Sequence, residues 1–154
     1  MIRILLKIPV PWVFVLVYLI SLPLQLNIRF PEFGEGVHQV VHFSGAAFLA
    51  TGGILAAWSL FIFYRARTTT VPGKNSARLI TTGPYRFSRN PMYISLTLAY
   101  LGEAGHLEHF WPVLFLPVVL IYINRVVIPL EEKILLSDFG EIYSTYYRKV
   151  RRWM

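Results

Sequence analysis

Gly83-Pro84-Tyr85-Arg86-Phe87-Ser88-Arg89-Asn90-Pro91-Met92-Tyr93 is a polar, basic, aromatic turn wedged between long apolar runs. The run before it covers Val40 to Tyr64, and the next begins at Met92. A further run from Phe110 to Leu130 ends at Glu131-Glu132. Apolar runs separated by polar turns describe helices that cross a bilayer. The turn and the glutamate pair stand at opposite ends of two consecutive runs. A helical hairpin therefore folds both onto one membrane face.

Composition agrees with this reading. Of 154 residues, 55% are apolar and 15% charged, against about 25% charged in soluble domains. The length allows about four spans with short connections, hence a single domain over residues 1–154. The absence of cysteine excludes disulfides, thiolate metal sites and a Cys nucleophile. In so apolar a chain, a net charge of +7 fits loops that touch anionic lipid rather than nucleic acid.

Four runs stand out: Ile8 to Leu26, Val40 to Tyr64, Met92 to Leu101 and Phe110 to Leu130. The third is short unless it continues through Gly102 and Gly105, and is expected to be tilted or buried behind the others. The second is rich in Gly and Ala, which lets membrane helices approach closely. The first follows Arg3 and Lys7, but Ile20-Ser21-Leu22-Pro23-Leu24 is a poor cleavage site, so a retained helix is expected. The fold class is thus all-α, a polytopic membrane helix bundle with a cytoplasmic loop and a C-terminal amphipathic helix.

Of the 15 Lys and Arg, all but Arg29 fall before the first run, between the second and third, or near and after the end of the fourth. The other connections carry Glu32, Glu35, Glu103 and Glu108. The positive-inside bias puts both termini and the 65–91 loop in the cytoplasm. In that loop Pro72-Gly73 marks a turn, and Leu79, Ile80, Tyr85 and Phe87 are expected to pack. Asn90 should be extended before Pro91, which opens the third helix. Beyond Glu132, Ile134, Leu135, Phe139, Ile142, Tyr143, Tyr146, Tyr147 and Val150 repeat at helical period, with a break expected at Gly140. The following Arg148, Lys149, Arg151 and Arg152 read as a lipid anchor, and the tyrosines as a cover over a ligand.

Several polar groups invite a chemical reading. Pro129 is expected to end the fourth helix, with Glu131-Glu132 opening the next; acids at a helix start need no ligand to explain them. Arg125 lies inside an apolar run, where an arginine costs about 2.5–3.5 kcal/mol on insertion scales. It either snorkels to the surface or serves a site, and Asn124 adds a second polar group beside it. His38, His42, His106 and His109 gather on the opposite face without a metal-ligand spacing, so no metal is expected.

Leu79 to Tyr93 resembles the first signature of the isoprenylcysteine carboxyl methyltransferase and phospholipid methyltransferase superfamily: an apolar pair, Gly, x, Tyr, then Arg-His/Asn-Pro-x-Tyr. Glu131-Glu132-x-x-Leu135-x-x-x-Phe139-Gly140-x-x-Tyr143-x-x-Tyr146 resembles the second, and Val150-Arg151-Arg152 the basic tail after it. Asn90 stands where eukaryotic enzymes have histidine. The signatures cover residues 79–150. The resemblance implies an integral-membrane enzyme that uses S-adenosylmethionine. Arg89, Asn90, Pro91 and Tyr93 would contact the cofactor, with Glu131 or Glu132 near its amino group.

The chemistry of these residue types suits that implication. A sulfonium with an amino acid tail calls for carboxylates and aromatic faces, which Glu131, Glu132, Tyr85, Tyr93 and Tyr146 provide. Its carboxylate calls for Arg89 and the first turn after Pro91. A carboxylate acceptor needs a cation such as Arg125 to orient it; an amine or thiol acceptor needs a base, for which Glu132 is nearest. The expected partners are membrane lipids and a lipophilic or prenylated acceptor, with isoprenylcysteine, phospholipid amines and small thiols left open. Two other readings remain: a nicotinamide-dependent sterol-type reductase, and a membrane scaffold without chemistry.

Overall fold

The computed structural model describes residues 9–28, 34–67 and 78–154. Arg3, Lys7, Arg29, Glu32, Pro72-Gly73 and Lys74 lie outside the described residues. The elements are α1 (Val10–Asn27), α2 (Glu35–Arg65), a 3-10 turn (Gly83–Arg86), α3 (Pro91–His106), α4 (Phe110–Tyr122), a π turn (Ile123–Val127), α5 (Ile128–Phe139) and α6 (Glu141–Lys149). No strand occurs among the described residues.

Three helical stretches are long and apolar enough to cross a membrane: Val10–Asn27, Glu35–Arg65 and Phe110–Phe139. The chain is an integral membrane protein of the polytopic helical kind. The 16-residue α3 is the short third run, continued through Gly102 and Gly105. It packs along α2 by the small residues of both helices. A Cβ on Gly52 would lie 2.8 Å from the Ser95 carbonyl oxygen, and one on Gly102 would lie 2.5 Å from the Leu49 nitrogen. Close backbone approach of this kind supplies van der Waals packing where lipid offers no hydrophobic gain. Gly53 faces open space. Gly102→Val is therefore expected to overpack the α2–α3 contact by about 1–3 kcal/mol, seen as a lower melting temperature in detergent, whereas Gly53→Ala should leave melting unchanged.

α1 closes the other side of the bundle. Phe14 and Tyr18 pack edge-on against Tyr100 of α3, and the Tyr100 hydroxyl donates to the Pro112 carbonyl at 2.9 Å. At the end carrying the α3–α4 connection, the side-chain oxygen of Gln25 accepts from the amides of Phe110 and Trp111. His38 meets Glu108 at 2.6 Å, and the rings of His42 and His106 lie 4.2 Å apart. These acids and histidines sit at one end of the bundle. Arg65, the 83–90 turn, the π turn and the C-terminal segment sit at the other.

Two expectations are corrected. Pro129 does not end the fourth helix; helix runs on to Phe139 through the π turn, and the glutamates ride on that same helix. Proline lacks an amide hydrogen, and a change of hydrogen-bond register just before it lets the helix continue. Phe87, expected to pack, is 69% exposed. Tyr85 takes the buried place in that turn, against Phe63. The break at Gly140 falls where periodicity puts it, with φ at 52°, a backbone conformation that glycine adopts without strain.

Candidate functional site

The turn from Gly83 to Asn90 is held from behind. Gly83 has φ at 60° and presses on Ile62 of α2, where a Cβ would collide. Tyr85 is buried, and its carbonyl accepts from the Tyr146 hydroxyl at 2.7 Å. Burial pushes the hydroxyls of Tyr85 and Tyr146 above the ordinary phenol range, and that of Tyr143 to about 12, so all three stay neutral. Tyr85 and Tyr146 thus stand behind the turn as its supports. Pro91 starts α3 as the sequence implies, but Asn90, expected to be extended, has φ at −129° and ψ at 50°, outside both the extended and the helical regions.

The C-terminal segment packs against this turn. The Arg89 amide donates to the Arg151 carbonyl at 2.9 Å. The Ser88 hydroxyl and the Asn90 side-chain amide both donate to the Arg152 carbonyl, at 3.1 and 2.9 Å. The tail read from charge as a lipid anchor is therefore part of the loop's seat.

The two halves of the site meet through their side chains. Tyr93 donates to Glu131 at 2.6 Å, tying α3 to α5. Arg89 pairs with Glu132 at 3.0 Å, donates to the Tyr147 carbonyl, and lies 3.7 Å from the centre of the Tyr147 ring. Its Nε is buried and finds no acceptor among the described residues. Arg152 grips the other side of Glu132, with Nε 3.2 Å from one carboxylate oxygen and Nη2 2.6 Å from the other. Two guanidiniums thus enclose Glu132. The hydrogen bond to Glu132 raises the Arg152 pKa further, keeping it charged.

Beside this cluster a groove of about 480 Å³ runs between α3 and α4. Its walls are Ile94, Thr97, Leu98, Leu120 and Ile121; Asn124, Arg125 and Trp153 line it as well. Arg125 is exposed and makes no hydrogen bond or ion pair among the described residues. Apolar walls with a few convergent polar groups are the usual make-up of a small-molecule site. The four histidines lie at the far end of the bundle, and no metal-binding cluster occurs among the described residues.

Of the residues singled out in the sequence, Arg89, Asn90, Pro91, Tyr93, Glu131 and Glu132 come together. Arg125 lies in the adjoining groove. Tyr147, read as part of a cover, stacks on Arg89, while Arg152 and Trp153 belong to the same assembly and were missed as site residues. A polar group inside the apolar run, Asn124, was the one signal pointing toward the partners of Arg152.

The profile of the family described as Phospholipid methyltransferase matches residues 40–142. The chain is 29% identical over 126 residues to Protein-S-isoprenylcysteine O-methyltransferase of Schizosaccharomyces pombe, covering 80% of this chain and 53% of that protein. It therefore spans about half the length of the curated relative it matches. No solved structure matches the chain.

Proposed function

The chain belongs to the phospholipid methyltransferase family, and from that premise we propose that it transfers a methyl group from S-adenosylmethionine to a lipophilic carboxylate held in the α3–α4 groove, as on a prenylated cysteine. The observation that carries the reading is the meeting of Arg89, Tyr93, Glu131 and Glu132 beside a groove that holds a cation. The basic end of the bundle, with the site and both termini, faces the cytoplasm on this reading, where a soluble cofactor is available. Family membership favours methyl transfer over the reductase and scaffold readings.

The donor set fits a zwitterionic sulfonium. Glu131 has one neutral partner, the Tyr93 hydroxyl, so no cation among the described residues competes with an ammonium for its carboxyl group. The orphaned Nε of Arg89 and the first turn of α3 suit a carboxylate. When bound, the cofactor supplies an activated methyl on a positively charged sulfur. This chain's residues bind and orient: Asn90 and Pro91 shape the start of α3, Glu132 fixes Arg89, and the groove walls exclude water from the acceptor.

Arg125 favours a carboxylate acceptor. A guanidinium without an internal counter-ion attracts a carboxylate and repels an ammonium. A carboxylate oxygen also needs no base, which matters because both oxygens of Glu132 are already engaged by cations. The first test is calorimetric titration of the detergent-solubilised protein with S-adenosylmethionine, followed by methyl transfer to S-farnesyl-N-acetylcysteine. Saturable binding and a base-labile methyl ester are expected. Heats no different from buffer, on folded protein, would sink the methyltransferase reading. Binding with transfer only to an amine or a thiol would move the acceptor class.

A further inference from the structure

We propose that Arg152, with Trp153, is a positioning residue that holds the π turn in the register directing Arg125 into the groove. The inference rests on the reading of Arg125 as the acceptor's counter-ion. Arg152 falls in the basic tail that follows the second signature, and Trp153 lies beyond it.

The π turn leaves one carbonyl short of a partner. The Ile128 amide bonds the Ile123 carbonyl, five residues back. In the same register the Asn124 carbonyl calls for the amide of residue 129, which is Pro129 and has none. A main-chain acceptor inside a packed helix needs a donor from somewhere. Arg152 supplies it. Its Nη1 lies 3.3 Å from the Asn124 carbonyl oxygen and 3.1 Å from the Asn124 side-chain oxygen, which also accepts from Trp153 Nε1 at 3.3 Å. The opposite edge of the same guanidinium holds both oxygens of Glu132. One planar fork therefore joins the residue preceding Arg125 to the acid that fixes Arg89.

Arg125 has no internal bond among the described residues to aim it, so its direction follows the backbone of the turn. Without the fork, the Ile128 amide is free to return to the Asn124 carbonyl in ordinary α register, and Arg125 shifts with it. Lysine cannot replace the fork. A point charge reaches Glu132 or Asn124, but not both.

The chain has no cysteine, so Arg125→Cys accepts a single nitroxide label on the full-length protein. The label should give an ordered spectrum with Arg152 present and a clearly more mobile one with Arg152→Lys, which keeps the pair with Glu132 and so the fold. In unlabelled protein, Arg152→Lys should hold S-adenosylmethionine affinity but lower turnover of S-farnesyl-N-acetylcysteine about tenfold, the scale of one charge-assisted hydrogen bond. Adding it to Arg125→Lys should cost nothing more, because both act through one side chain. Identical spectra in the two backgrounds, or additive losses, overturn the proposal. If the unsubstituted protein binds no cofactor or fails to methylate the probe, the functional reading falls, while the spectra still decide whether Arg152 sets Arg125.

Discussion

Glu132→Ala is expected to reduce methyl transfer by more than about a hundredfold, and Glu131→Ala to spare more of it. Glu132 lies between Arg89 and Arg152, with the Arg89 side chain 8% and its own 14% exposed. Removing the acid leaves two guanidiniums side by side, Arg89 buried and Arg152 partly exposed, and breaking a buried pair costs about 3–5 kcal/mol. The Arg89 loop and the C-terminal segment both lose their common anchor. Glu131 instead accepts one hydrogen bond from a neutral Tyr93. Its loss should appear chiefly as weaker cofactor binding, by about tenfold for a bond to a charged group. The measurement is single-turnover methyl transfer beside cofactor affinity, with Glu132→Gln as a variant that keeps the shape, and melting temperature as the check on folding. Equal, near-native turnover in both alanine variants would reduce the pair to a feature of the helix surface.

Much of the fold was legible because its signals are local. Apolar runs mark α1, α2 and the long α4–α5 helix, Pro91 marks the start of α3, and Gly140 marks the break before α6. The meeting of turn and glutamates followed from counting spans, and the Tyr93–Glu131 and Arg89–Glu132 contacts realise it. What escaped reading depends on register and long-range contact. Pro129 looks like a terminator by itself; only the π turn before it, filled by a side chain from the C-terminal segment, lets the helix continue. Arg152 looks like its neighbours Arg148, Lys149 and Arg151 in a basic tail. Charge pattern cannot tell the one that turns inward from those left exposed. Tyr85 and Phe87 are two residues apart and equally aromatic, yet one is buried and the other exposed because a 3-10 turn separates their directions.

Arg125→Lys is expected to keep cofactor affinity within about twofold and lose methyl transfer by about a hundredfold, the scale of a misplaced reacting group. An arginine within an apolar helix is costly, by about 2.5–3.5 kcal/mol on insertion scales. The structure gives it no internal partner among the described residues to offset that cost. It opens instead onto a groove whose remaining walls are mostly aliphatic, with Thr97, Asn124 and Trp153 among the lining. A planar fork orients a carboxylate by two parallel bonds, whereas an ammonium only attracts it. Lysine preserves charge and apolar stem, so a purely snorkelling role would tolerate it without loss. Arg125→Ala should match or exceed the lysine defect, and a rise in acceptor KM beyond the fall in kcat would show that ground-state binding is lost as well. The decisive comparison is the two variants at saturating cofactor. Full activity in the lysine protein would remove Arg125 from acceptor recognition, and with it the argument that the acceptor is a carboxylate rather than an amine.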